Sequence, residues 1–157
     1  MHSMLAVALL LFQTLSPEDV QGLLEGRGMG LAKAAELNSY PGPRHVLDLA
    51  ESLKLTPQQR VTVQKAHDEM KAAAVKLGKE IVDLEQQLND AFASTKIDAK
   101  RLRELTAAIA ERQGTLRYVH LAAHLATHAA LTTEQIEAYD LARGYRSEKA
   151  GGHTGHH

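Results

Sequence analysis

The residues of this 157-residue chain best suited to chemistry are histidines, and the segment HLAAHLATH places His120, His124 and His128 four apart. At about 100° of helical rotation per residue, the three fall within an arc of about 80°. Neutral imidazole is a good ligand for zinc, copper or nickel, and two histidines four apart on a helix can chelate one ion. Three in succession do not readily reach the same ion, so a two-histidine site completed from elsewhere is geometrically easier. His67, followed by Asp68 and Glu69, is a candidate partner, and the terminal run GGHTGHH adds His153, His156 and His157. The competing reading is structural: half-buried, hydrogen-bonded edge residues near a helix C-terminus, where the dipole favours a protonated ring. Residue types alone leave both readings open.

No other reactive constellation is legible. The absence of cysteine excludes disulfides, thiolate metal sites and thiol catalysis. The histidines have no serine partner at a readable spacing and the carboxylates scatter over charged faces, so catalysis is not expected. Gly26, Gly28 and Gly30 mimic a phosphate loop, but no strand precedes them and no Lys-Ser or Lys-Thr follows, so they read as a helix break. A net charge of -1, with 24% charged residues, supplies no field to recruit nucleic acid, anionic membrane or acidic substrates.

The elements that must position the histidines are helices. Alanine, leucine, glutamate, glutamine, lysine and arginine dominate while aromatics are only 4%, which favours an all-α chain over one built from strands. Ser16 followed by Pro17, Glu18 and Asp19 reads as a helix start with its cap, first-turn proline and early acids. A short helix over residues 31–37 ends at Asn38 and Ser39. TyrProGlyPro at residues 40–43 is a turn, and a further short helix buries Val46, Leu47, Leu49, Ala50 and Leu53.

Two segments repeat one local code: Leu55-Thr56-Pro57-Gln58-Gln59 and Leu131-Thr132-Thr133-Glu134-Gln135. In each, the threonine caps first-turn amides while the glutamine three residues on reaches back to the threonine amide, and the preceding leucine is placed for a hydrophobic staple. Both motifs therefore read as structural helix starts. From Val63, apolar or small residues at 66, 70, 73, 77, 81, 84, 88 and 91 keep a three-and-four spacing, predicting one helix over residues 57–93. At about 1.5 Å per residue it spans about 55 Å and needs a cover. Asp98 caps a second long helix with its seam at Leu102, Leu105, Ile109, Leu116, Val119, Ala123 and Ala126, and the short link makes the pair antiparallel. Folding about residue 96 brings His67 opposite residues 124–128. Gly78 and Gly114 read as places where the helices can bend, and a last helix over residues 133–143 ends at Gly144.

With LTPQQ and LTTEQ opening helices on either side of a long charged hairpin, the chain resembles the LTxxQ family over roughly residues 43–145. That family comprises Spy/CpxP-like periplasmic proteins together with ZraP-like and CnrX-like heavy-metal stress proteins. The resemblance implies a long antiparallel helical hairpin with short flanking helices, commonly a cradle-shaped homodimer in the periplasm. It divides the chain into an apolar segment at residues 1–15, a lead-in at 16–42, the LTxxQ hairpin at 43–145 and a His/Gly tail at 146–157. The apolar run MLAVALLLF has the length of a signal-peptide core, without a preceding Lys or Arg or an Ala-x-Ala site, and is too short to span a bilayer.

Two functions follow as expectations. The first is ATP-independent, chaperone-like binding of unfolded envelope proteins, with Tyr118, Leu121 and Leu125 as apolar contact residues beyond the seam and no cofactor required. The second is a heavy-metal sensor or buffer that binds zinc, copper or nickel through the histidines and answers to a membrane-bound sensor kinase or anti-sigma factor.

Overall fold

The computed structural model describes residues 14–147. Among them all regular structure is helical, in the order α1 (Pro17–Leu24), α2 (Lys33–Glu36), α3 (Pro43–Asp48), α4 (Pro57–Ala93), α5 (Ala99–Ala130) and α6 (Thr133–Ala142). The expected hairpin is present, with α4 of 37 residues paired to α5 of 32. Among the described residues no helix is long and apolar enough to cross a membrane. The run at residues 4–15 lies almost wholly outside the described residues.

Helices α1, α4, α5 and α6 start where side chains satisfy first-turn amides, whereas α2 and α3 have no side-chain cap. At α1, Ser16 Oγ accepts from the Asp19 amide at 3.0 Å. At α5, Asp98 Oδ1 accepts from the Arg101 amide at 2.8 Å. Both LTxxQ segments form the complete capping box. Thr56 and Thr132 each accept from the amide three residues on, at 3.1 and 3.2 Å, and Gln59 and Gln135 each return the bond to the threonine amide, at 3.0 and 2.9 Å. The tip between α4 and α5 turns with Thr95 in the left-handed region at φ 57°. Helix α6 stops in a Schellman motif: Gly144, at φ 78°, donates to Leu141 O at 3.1 Å and Tyr145 donates to Asp140 O at 2.8 Å.

The described residues form two compact units, one from residues 14–31 with 69–120 and the other from residues 32–68 with 121–147. In the first, Leu23 of α1 is buried with Ala74, Ile81 and Val82 of α4 and Leu116 of α5. Arg112 pairs with Glu80 at 3.5 Å, the register that folding about residue 96 predicts for the two helices, and Arg101 donates to Gln87 at 2.9 Å, about one turn from it. Gly78 has a different role from the expected bend. A Cβ there would lie 1.9 Å from the Leu23 carbonyl oxygen, so the glycine lets the end of α1 rest on the backbone of α4. This second neighbour widens the buried face of α4 to Ala74, Gly78 and Val82, whereas Ala66, Met70, Ala73 and Leu77 are only half-buried.

In the second unit Val46, Ala50, Leu53, Leu55, Val63 and Tyr139 form the core, with Leu131 packed against it. The LTxxQ leucines thus anchor both helix starts in one apolar cluster. The buried line of α5 keeps Leu105, Ile109, Leu116 and Ala123 of the expected seam and departs from it elsewhere. It runs through Leu105, Ile109, Leu116, His120, Ala123 and Thr127, while Leu102 is 38% exposed and Ala126 is exposed. Helix α5 carries apolar residues on more than one flank, so hydrophobicity alone does not set its phase. Packing replaces Val119 by His120 and Ala126 by Thr127, each one residue further on, so His120 lies in the seam.

Candidate functional site

The polar residues of the second unit gather where the lead-in crosses α5 and α6. Glu36, the last residue of α2, turns its carboxylate inward to a side-chain exposure of 13%. Its Oε1 accepts from the hydroxyls of Tyr139 and Tyr145, the latter at 3.1 Å, with Arg143 Nε at 3.7 Å. Its Oε2 lies 3.5 Å from His124 Nδ1. Ser39 takes a left-handed φ of 66°, which places its hydroxyl to donate to Asp140 Oδ2 at 2.6 Å. Asp140, only 1% exposed, has Arg146 Nε at 3.6 Å. A non-glycine residue at positive φ costs free energy, and here a buried carboxylate offsets it.

The next residues meet the histidines. His124 Nδ1 donates to the Tyr40 carbonyl at 2.7 Å, and the Tyr40 ring stacks on His128 with centroids 4.1 Å apart and planes 21° apart. Gly42 lets the strap approach the ring closely: a Cβ there would come 2.8 Å from His124 Cε1 and 2.9 Å from Nε2, so the imidazole would have to shift. Pro41, Gly42 and Pro43 are buried, so residues 40–43 form a strap seated on α5.

Local electrostatics follow from this crowding. Burial, and then the bond to Glu36, push the Tyr139 phenol well above its usual range, so it remains a donor. Burial, and then the positive charge of Arg143, hold His45 below its ordinary value against the pull of Glu36 and Asp48.

Among the described residues the metal-ligand candidates do not converge. His67 Nδ1 lies 3.5 Å from Asp68 Oδ1, an oxygen that already accepts from Gln64 at 2.8 Å. His120 is 3% exposed, and His124 and His128 are engaged by the strap. Among the described residues no group of three or more His, Asp or Glu side chains is placed to hold an ion. His153, His156 and His157 lie outside the described residues. Of the apolar contact candidates, Tyr118 is 68% and Leu125 61% exposed, while Leu121 is half-buried. An open groove of about 650 Å³ in the second unit, unforeseen from the sequence, is lined by Leu47, Arg60, Val61, Gln64, Lys65 and Asp68.

The capping glutamines carry a further role. Gln59 Nε2 donates to Gln135 Oε1 at 2.8 Å and Gln135 Nε2 donates to Gln59 Oε1 at 2.9 Å. Each also reaches a carbonyl beside the other's box, Gln59 to Ala130 O at 3.0 Å and Gln135 to Leu53 O at 3.1 Å. The repetition of glutamine at one offset in both motifs was the signal for this pairing. No comparable signal marks Glu36, Ser39 and Tyr40, which sit in turn-like sequence without periodicity.

A helical hairpin flanked by two LTxxQ boxes whose glutamines lock together defines the class. The chain belongs to the heavy-metal resistance family, whose profile matches residues 30–138, within the LTxxQ, Spy/CpxP-like group of stress proteins. Proteins of this family are usually periplasmic. No curated protein and no solved structure is matched by the chain.

Proposed function

We propose that this chain is a periplasmic stress-response protein that binds unfolded envelope proteins reversibly, without ATP, cofactor or covalent chemistry. The observation that carries the reading is the apolar surface left on α5, where Tyr118 and Leu125 stand 68% and 61% exposed. With Leu121 between them at helical spacing, they offer a client separate apolar footholds. Fully burying one such side chain is worth about 1.5–3 kcal/mol, a scale suited to capture and release. The groove beside Leu47 and Val61, with Val61 63% exposed, supports the same reading. Pairing of two copies into a cradle would multiply these footholds.

The test is suppression of aggregation of a chemically denatured client. Suppression at or below equimolar chaperone is expected, and a Tyr118→Ser/Leu125→Ser variant should lose it while keeping its melting temperature. No suppression at several-fold excess would remove the proposal.

Membership of the heavy-metal resistance family supports a second reading, heavy-metal buffering or sensing, whose partner would be a membrane-bound sensor kinase or anti-sigma factor. Its donors would be His67 with Asp68 and the tail residues His153, His156 and His157. Calorimetric titration with zinc, copper and nickel, repeated on a chain lacking residues 148–157, tests it. Binding that survives the deletion unchanged would rule out the tail.

A further inference from the structure

We infer that His124 and His128 are the clamp that seats the strap of residues 40–43 on α5, and that they do not serve as ligands for a divalent metal ion. The spacing of this pair is that of a chelate, yet the surroundings of both rings are those of a packing joint. A carbonyl oxygen can only accept, so the 2.7 Å contact between His124 Nδ1 and Tyr40 O fixes the proton on Nδ1. That nitrogen has no lone pair to give. Nε2 remains, and it faces the Gly42 backbone so closely that a Cβ would sit 2.9 Å away. An imidazole-bound zinc lies about 2.0–2.1 Å from its nitrogen and carries further ligands of its own, for which the buried strap beside this edge of the ring leaves little room.

His128 presents one ring face to Tyr40, with the centroids 4.1 Å apart. Moving it toward an ion shared with His124 would unstack that pair. His120, one turn before His124, is 3% exposed and closed to a hydrated ion. Binding at the pair would therefore require removal of the strap, whose Pro41, Gly42 and Pro43 are buried. Any metal response of this chain then uses donors other than this pair.

The experiment is a long-range ¹H–¹⁵N correlation spectrum of the uniformly labelled full chain, recorded without and with zinc chloride up to five equivalents. The expected spectrum shows His124 as the Nδ1–H tautomer, with its Nε2 and both His128 nitrogens unmoved by zinc. In parallel, a His124→Ala/His128→Ala variant should keep the zinc stoichiometry of the parent and an affinity within about twofold, while amides over residues 36–43 exchange faster. A zinc-induced shift of His124 Nε2 or of either His128 nitrogen would overturn the inference. So would the loss of one zinc equivalent in the double variant. The spectrum of the unmutated chain decides the matter even where the variant does not fold, and neither result depends on client binding.

Discussion

Gln59 and Gln135 use every hydrogen-bonding position they have. Each Oε1 accepts from its own threonine amide and from the other glutamine, and each Nε2 donates to the other glutamine and to a carbonyl across the joint. A capping box alone accepts glutamate in the same position. The reciprocal pair does not, because a carboxylate brings no donor: the facing oxygen loses one of its two donors and the Ala130 carbonyl loses the amide that reaches it. Gln59→Glu should therefore lower stability by about 2–4 kcal/mol in urea unfolding, more than the loss of a cap alone. In a double-mutant cycle, Gln59→Ala and Gln135→Ala should couple by at least about 0.5 kcal/mol. Additive losses would mean that the two boxes act separately. Tyr139 carries the pH prediction. Its phenol is raised in the fold, so its contribution is fully present below the ordinary phenol value near 10 and is lost as pH climbs above it toward the folded value. Tyr139→Phe should flatten the fall in stability above about pH 10, and should cost about 1–3 kcal/mol at neutral pH by leaving Glu36 short of a donor.

Among the elements, α1 gives the sharpest test, because one glycine decides whether it docks. Gly78→Ala improves the intrinsic helix propensity of α4 by about 1 kcal/mol. Its methyl, however, would sit 1.9 Å from the Leu23 carbonyl, and backbone cannot step aside as a flexible side chain can. Hydrogen exchange should show α1 amides losing protection while those of α4 keep theirs. Retained α1 protection would mean that the crossing is looser than the packing indicates. The helix starts and the hairpin were legible because their signals are local: threonine, proline and aspartate at starts, and a three-and-four spacing along α4. Two things were not. The seam of α5 was read at Leu105, Ile109, Leu116 and Ala123 but not at His120 and Thr127, because Tyr118, Leu121 and Leu125 put apolar residues outside the seam there. The strap could not be read because its partners lie far along the chain: Tyr40 and His124 are separated by 84 residues, and Glu36 and Tyr139 by 103. Proline and glycine at residues 41–43 mark a turn without saying what the turn rests against.

For the whole molecule, charge limits how a client can be captured. Eighteen Lys and Arg against nineteen Asp and Glu leave -1, so no long-range field draws an oppositely charged chain toward the surface. Many exposed charges are already spent on neighbours, as in Arg27 with Glu25 and Arg101 with Glu104. Capture through Tyr118 and Leu125 should then respond little to ionic strength, since burial of apolar area is not screened while contacts between exposed charges are, over a Debye length of about 10 Å at 0.1 M salt. Under the proposed function, raising sodium chloride from about 0.05 to 0.3 M, which shortens that length more than twofold, should change the protein concentration for half-maximal suppression by less than about twofold. A tenfold loss of suppression across that range would mean that solvated charge carries the binding, and would shift the contact surface away from α5's exposed apolar residues toward charged residues such as Arg60 and Lys65 at the rim of the groove.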